Sequence, residues 1–355
     1  MLYRHSQAVI DFIIPPSPRD LYARNFGDED PVYQQWATEF ELAKADSLMG
    51  EFPFVFNGHV TMGQSALQYD FSLRTGRHYY IDFSLADSLL PVFINFYRID
   101  EMDLIQLEAD RYDGRPLELD VSQDGDYKLI VQAGLEELSQ IQMTGYAKAK
   151  FQFPVAGKGN RAIQSFWGAP RDGGRRIHKG IDIFAKRGTP LIASTDGRVS
   201  YAGSKGLGGK QVWLRSSDVG MSIYYAHLDQ ISVDKGDVVN RGDTIGTVGN
   251  TGNAKTTPPH LHLGLYGARG AIDPLPFVEI QEQPDMKDVK APLKGIIYPK
   301  SSNVRLGPNK SFPIKSDFDA ESSVDILGRI DNWYQIKNEW GEVGFIYESL
   351  VEVIR

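Results

Sequence analysis

From residue 53 onwards the chain alternates apolar and polar residues in one short run after another: LQYDFSL, HYYIDFSL, PVFINFYRI and LELDV before residue 150, then GRVSYAG, QVWLRS, MSIYYAHL and HLHLGLY. A period of two belongs to strands with one buried face, and runs this short, closed by Gly, Pro, Asn and Asp, cannot build long helices. The pattern therefore imposes a mainly β fold of antiparallel sheets. The exception is the segment 18–50, where VYQQWATEFELAKADSLM carries apolar residues at helical spacing and stops at Gly50.

At 355 residues the chain is too long for one ordinary core, so several domains are expected. The pattern shifts place a helical lead-in at 1–50 and a β-sandwich accessory domain at 51–150, in which SQDGDYKLIVQ supplies an Asp-Gly hairpin signal. A Gly-rich antiparallel β domain follows at 151–280, then a charged linker, QEQPDMKDVKAPL, at 281–293, and a small barrel of short strands at 294–355. The apolar share of 41% and charged share of 24% suit folded globular domains, and no apolar run is long enough for a transmembrane segment. Residues 151–280 hold 16 Lys and Arg against 10 Asp and Glu, while the rest holds 22 against 36. A basic middle suits an anionic substrate, although surface charge also varies between domains without function; no nucleic-acid partner is expected.

The chain has no cysteine, so any metal must be held by His, Asp, Glu or water. Four of its seven histidines fall between 178 and 262. In PPHLHLGLY, His260 and His262 are two apart, hence on one face of a strand. In RRIHKGIDIFA, His178 and Asp182 are four apart, and Gly180 with the β-branched Ile177, Ile181 and Ile183 favours an extended chain that puts 178, 180 and 182 on one face. In IYYAHLD, His227 is expected to share its strand face with Ile223, Tyr225 and Asp229. Each group taken alone also fits a hydrogen-bonded core histidine or a buried His–Asp pair. Together they offer more ligands than a catalytic zinc needs, since such a site keeps three protein ligands and one open position.

In this order and at these separations, HKGIDIFAKRGTPLIASTDGRVSYAG, YYAHLD and PPHLHLGLY resemble the three motifs of the lysostaphin-type zinc endopeptidases, which cleave peptide bonds of bacterial peptidoglycan. FWGAPRDGGRR, GDVVNRGDTIGTVGNTGNA and IDPLPF extend the resemblance over roughly 151–280. It implies a metallopeptidase with one zinc per chain, His178, Asp182 and His262 as ligands, and His227 and His260 as the catalytic pair. Water activated by the zinc would be the nucleophile, and with no H-E-x-x-H helix to supply a carboxylate base, the two histidines would divide proton transfer and oxyanion stabilisation. The sequence departs from the family where an aromatic residue commonly follows the H-x-H pair, since Leu263 stands there, which removes no ligand.

The tail, with NVRLGP, NWYQIK and VGFIYESL, resembles bacterial SH3-like domains, and Trp333, Tyr334 and Trp340 are candidates for a ligand groove or for its core. Gly206, Gly208, Gly209, Gly249 and Gly252 are candidates for close approach to an extended peptide or for tight turns. The partners implied are peptidoglycan peptides, and the location is periplasmic or extracellular, associated with the cell envelope. MLYRHSQAVIDFIIPPSPRD, broken by Asp11 and Pro15-Pro16, lacks an export signal, so a leader or lipid-attachment segment is expected upstream in the full gene. The competing readings are a non-catalytic wall-binding regulator of other hydrolases, which would bind no zinc, and a carbohydrate-binding assembly protein.

Overall fold

A computed structural model describes residues 15–61, 65–85, 91–101, 103–135, 139–284, 291–299 and 301–354. The expected lead-in over 1–14 and the expected linker over 285–290 lie outside the described residues. The chain gathers into two compact units, Met1–Leu73, Tyr79–Ala147 and Glu282–Arg355 in one, Arg74–His78 and Lys148–Gln281 in the other. Among the described residues no helix is long and apolar enough to cross a membrane.

The first unit opens with two helices whose starts are written in the sequence. Ser17 and Asp20 form a reciprocal capping box on Pro18–Ala23, and the Asp30 carboxylate caps Pro31–Ala45 by accepting from Val32 N at 2.9 Å. The longer helix buries Trp36, Phe40 and Ala43, and the Trp36 indole donates to the Ala133 carbonyl at 2.7 Å. A four-stranded antiparallel sheet runs Ala66–Leu73, Gly125–Ala133, Val92–Asp100 and Asp103–Arg111 in that spatial order. Its inner residues, Leu67, Tyr69, Ile94 and Leu129, meet Phe56, Ile81 and Met143 of the second sheet in one core.

The Asp124-Gly125 signal does not make a hairpin. Leu117–Asp120 belongs to the larger sheet and Gly125–Ala133 to the four-stranded one, so this turn crosses the sandwich. Gly125 is not among the residues with positive φ, the conformation a two-residue type I′ hairpin demands.

The tail strands continue the larger sheet. Phe54–Val60 pairs with Ser139–Ala149 on one side and with Ser323–Ile330 on the other, Phe56 lying opposite Ile330. Ile297, Val304, Val324, Ile326, Ile336 and Ile346 form a separate small core. Trp333 and Tyr334 are buried, whereas Trp340 is 75% exposed.

The second unit is built on an antiparallel sheet in the order Val238–Val239, Gly197–Ser204, Lys210–Ser216, Ser222–Ala226, His260–Gly267, Ile181–Phe184, Ile163–Ser165. A three-stranded sheet, Pro190–Ile192, Thr244–Thr247 and Gln230–Ile231, completes it. Alternation sorts the residues of the main sheet. Ile181, Ile183, Leu261, Leu263, Leu265, Ile223 and Tyr225 enter the core, which leaves Asp182, His260, His262 and Tyr224 for the other face. Leu263 is thus a core residue, opposite both Ile181 and Tyr225.

Candidate metal centre

The polar face of that sheet floors a cleft of about 1040 Å3. Register brings its functional groups together: Asp182 lies opposite His262, Phe184 opposite His260, and Ala226, the last residue before His227, also opposite His262. His178, Asp182, His227, His260 and His262, the residues singled out in the sequence, all line this cleft.

His178, Asp182 and His262 converge most tightly. His178 Nε2 is 3.0 Å from Asp182 Oδ1 and 3.0 Å from His262 Nδ1, and His262 Nδ1 is 2.9 Å from Asp182 Oδ1. Among the described residues this is the group of side chains placed to hold a metal ion. The fit can be tested by size. Ligands on a tetrahedral zinc at about 2.0–2.1 Å are about 3.3 Å apart, so the triangle needs to open by only a few tenths of an ångström. Burial raises the Asp182 pKa, but hydrogen bonds and charge from His178 and His262 outweigh it and hold the carboxyl well below the usual carboxylate range. Burial lowers the His262 pKa despite the pull of Asp182. A neutral imidazole and an ionised carboxylate are the forms that bind metals.

The surroundings fix these groups. His178 Nδ1 faces the Phe166 carbonyl at 2.9 Å, and because a carbonyl only accepts, the ring proton sits there and Nε2 turns a lone pair to the cluster. Arg171 Nη2 donates to Asp182 Oδ2 and to Ser165 Oγ, both at 2.6 Å, so Oδ2 is engaged and Oδ1 is left for the cluster.

His227 is positioned differently from the expectation. It follows the Ser222–Ala226 strand with φ +66°, a left-handed conformation uncommon for a residue with a Cβ. The twist breaks the alternation, so His227 does not share a face with the core residues Ile223 and Tyr225 but turns into the cleft. Its amide donates to the Gly208 carbonyl at 2.8 Å and its Nδ1 to the Thr251 carbonyl at 2.9 Å. His260 Nδ1 likewise meets the Pro258 carbonyl at 2.8 Å, and its ring lies 5.1 Å from that of His227 and 5.0 Å from Phe184. In the neutral form each ring therefore carries its proton on Nδ1 and leaves Nε2 as an acceptor. Burial, reinforced by the charge of His260, lowers the His227 pKa to about 4, so that ring is neutral at pH 7.

The loops that hold His227 pack glycine against glycine. A Cβ at Gly209 would fall 2.3 Å from Gly252 N, and both residues have positive φ. Gly208 lines the cleft. Sequence reasoning assigned nothing to Arg171, although it stands in the matching text FWGAPRDGGRR, nor to Ser165 just before that text, and it had no signal for the carbonyls of Phe166, Thr251 and Pro258, which carry no side-chain signature.

Residues 176–274 match the model of peptidase family M23. An L-Ala--D-Glu endopeptidase of Bacillus subtilis is 35% identical over 144 residues, 37% of this chain and 44% of that protein. The DD-carboxypeptidase/endopeptidase Mpg of Neisseria meningitidis is 45% identical over 94 residues, 26% of this chain and 20% of its own. The chain thus spans less than half the length of these relatives. Among solved structures, the catalytic domain of lysostaphin from Staphylococcus simulans is 34% identical and covers 32% of this chain and 89% of that one, with a TM-score of 0.30.

Proposed function

Because the chain carries a peptidase family M23 domain over 176–274, we propose that it is a zinc endopeptidase hydrolysing peptide cross-links of bacterial peptidoglycan. The observation that carries this reading is the meeting of His178 Nε2, Asp182 Oδ1 and His262 Nδ1 within 3.0 Å of one another, in the cleft that also holds His227 and His260. The names of the relatives, an L-Ala--D-Glu endopeptidase and a DD-carboxypeptidase/endopeptidase, support the reaction class and the peptide substrate. A peptidoglycan substrate in turn places the protein outside the cytoplasm, in the periplasm or at the cell envelope. The SH3-like tail belongs to the same proposal, with the exposed Trp340, rather than the buried Trp333 and Tyr334, available to a wall ligand.

In this reading His178, Asp182 and His262 hold one zinc ion. When bound, the ion supplies Lewis-acid polarisation of a scissile carbonyl and lowers the pKa of water towards about 7. The Phe166 carbonyl and Arg171 orient two of the three ligands through their far atoms. His227 and His260 handle the proton. A ring whose Nδ1–H is held by a carbonyl can donate from Nε2 only after it has been protonated there, so each begins as an acceptor and becomes an oxyanion donor or general acid afterwards. Neutral His227 is in the right state to begin.

Metal analysis of the purified chain tests the proposal: about one zinc per chain, lost to chelators and absent from His178→Ala. A zinc-reconstituted wild type that holds no metal would leave the two non-catalytic readings, a wall-binding regulator and a carbohydrate-binding assembly protein.

A further inference from the structure

The two histidines assigned to proton transfer take their orientation from one loop. His227 Nδ1 donates to the Thr251 carbonyl and His260 Nδ1 to the Pro258 carbonyl, and both carbonyls belong to the segment between Gly249 and His260. The start of that segment is tied by its backbone. The His260 amide donates to the Gly249 carbonyl at 3.0 Å, and a Cβ at Gly249 would fall 2.7 Å from the His227 carbonyl oxygen. The end is tied less well, because Pro258 and Pro259 carry no amide N–H and the backbone just before His260 cannot donate. Asn250 supplies a link across the loop: its Nδ2 donates to the Thr257 carbonyl at 3.2 Å. Asn250 precedes Thr251 and Thr257 precedes Pro258, so this side chain joins the two ring-holding carbonyls at one residue's remove from each. Arg187 sets the direction of the amide from outside. Its Nη2, which only donates, meets Asn250 Oδ1, so Nδ2 is turned towards the loop. Nη1 of the same guanidinium donates at 2.5 Å to Asp229 Oδ1, two residues after His227. The Arg187 side chain is 49% exposed, and ion pairs so exposed add little to stability. What this one fixes is geometry.

We infer that Asn250, held by Arg187, is a positioning residue for the reaction: it fixes the carbonyls of Thr251 and Pro258 and through them the rings of His227 and His260. This rests on the peptidase reading, since only a reaction in the cleft makes the aim of those rings matter. Neither Asn250 nor Arg187 lines the cleft, so neither touches the substrate or the metal ligands there. Their effect falls on turnover, with zinc and substrate binding left as they are.

The test uses the zinc-loaded full chain on soluble, still cross-linked fragments of purified peptidoglycan. Asn250→Asp keeps an acceptor for Arg187 but has no N–H for the Thr257 carbonyl, and Asn250→Ala has neither. In both, kcat should fall about tenfold or more while KM stays within about twofold and zinc remains near one per chain, since a misplacement of about 1 Å can cost a reaction about 100-fold. Arg187→Ala acts through the same link, so the double variant with Asn250→Ala should lie within about twofold of the lower single variant instead of at the product of the two losses. Proton NMR gives a readout independent of turnover: the Nδ1–H protons of His227 and His260, held by their carbonyls in wild type, should exchange with water at least about tenfold faster in Asn250→Ala. Arg198→Ala, which removes an exposed arginine's hydrogen bond to the Gly236 carbonyl in the same unit, should change none of these. The inference is overturned by an Asn250→Ala variant that keeps kcat within about twofold of wild type, by zinc loss in step with kcat, or by ring-proton exchange equal to wild type. A zinc-loaded wild type that cleaves nothing overturns the peptidase reading instead, and the exchange rates then still decide whether Asn250 holds the two rings.

Discussion

Gly180 is the residue whose smallest enlargement should disturb the site most. A Cβ built there lies 2.4 Å from the Leu263 carbonyl oxygen, 2.6 Å from His262 Cε1 and 2.9 Å from His262 Nε2. Comfortable contacts between such atoms begin near about 3.5 Å, so in Gly180→Ala something has to move by roughly an ångström. The Leu263 carbonyl belongs to a backbone paired with Ile181 on one side and Tyr225 on the other, so the Gly180 main chain has to back away from it while the His262 ring yields to the remaining contacts. Metal sites tolerate about 0.2 Å of error in a ligand distance, so a displacement several times larger removes His262 Nδ1 from the cluster. Lost outer support for a ligand already costs about 10–100-fold in metal affinity, and a displaced ligand should reach the upper end or beyond, about 100-fold, equivalent to about 2.7 kcal/mol. The overcrowding itself should cost about 1–3 kcal/mol of stability. Thermal unfolding separates the two effects: in chelator the variant should melt below wild type by the overcrowding alone, and in zinc the gap should widen because wild type gains more stabilisation from the bound ion than the weaker-binding variant does. Competition with a fluorescent chelator gives the affinity directly. If Gly180→Ala binds zinc as tightly as wild type, the contact between Gly180 and His262 is not what positions this ligand.

Three further outcomes follow from the same geometry. His178→Ala, Asp182→Ala and His262→Ala should lose zinc and activity together, whereas His227→Ala and His260→Ala should keep zinc and lose turnover by about 100-fold or more; metal content and peptide release measured side by side would expose reversed roles if His260→Ala empties the site while His262→Ala stays loaded. His227, held down to about 4, binds fewer protons folded than unfolded as the pH falls from about 6.5 towards 4, so in chelator its stabilising contribution is full above that window and lost through it. The loss should amount to up to about 3 kcal/mol, and denaturant midpoints at pH 5 and pH 7 should differ less for His227→Gln than for wild type; equal differences would refute the buried neutral ring. Trp36→Ala, which deletes a fully buried ring and its hydrogen bond to Ala133, should cost the first unit about 3–5 kcal/mol in denaturant unfolding, and a loss below about 1 kcal/mol would show that the helix is not integral to that core.

The parts of the site that were legible in the sequence are those carried by alternation. His260 and His262 against Leu261, Leu263 and Leu265, and Asp182 against Ile181 and Ile183, sort themselves onto the two faces of one sheet because strand geometry allows nothing else. His227 shows the limit of that rule: its left-handed backbone lies one residue beyond the strand, where period two no longer applies, and only the tertiary partners Gly208 and Thr251 stabilise the turn. Arg171 was not legible as a partner of Asp182 because the hairpin that delivers it is specified by two glycines at positive φ, Gly173 and Gly174, and not by an apolar pattern. In the first unit, Asp124-Gly125 marked a chain reversal correctly but could not say that the strands on either side enter different sheets. Nor does any local signal announce that Phe54–Val60 pairs with Ser323–Ile330, since edge pairing between strands so distant in sequence depends on what else the fold leaves uncovered.

Incubation of the zinc-loaded chain with purified peptidoglycan, followed by mass spectrometry of the soluble peptides, bears most directly on the proposed zinc endopeptidase. The account predicts peptides with newly freed amino termini from the cross-links, their release abolished by chelator, restored by zinc, and absent with His178→Ala and with His260→Ala. A chain that holds its zinc at His178, Asp182 and His262 yet releases no new termini from peptidoglycan would contradict it.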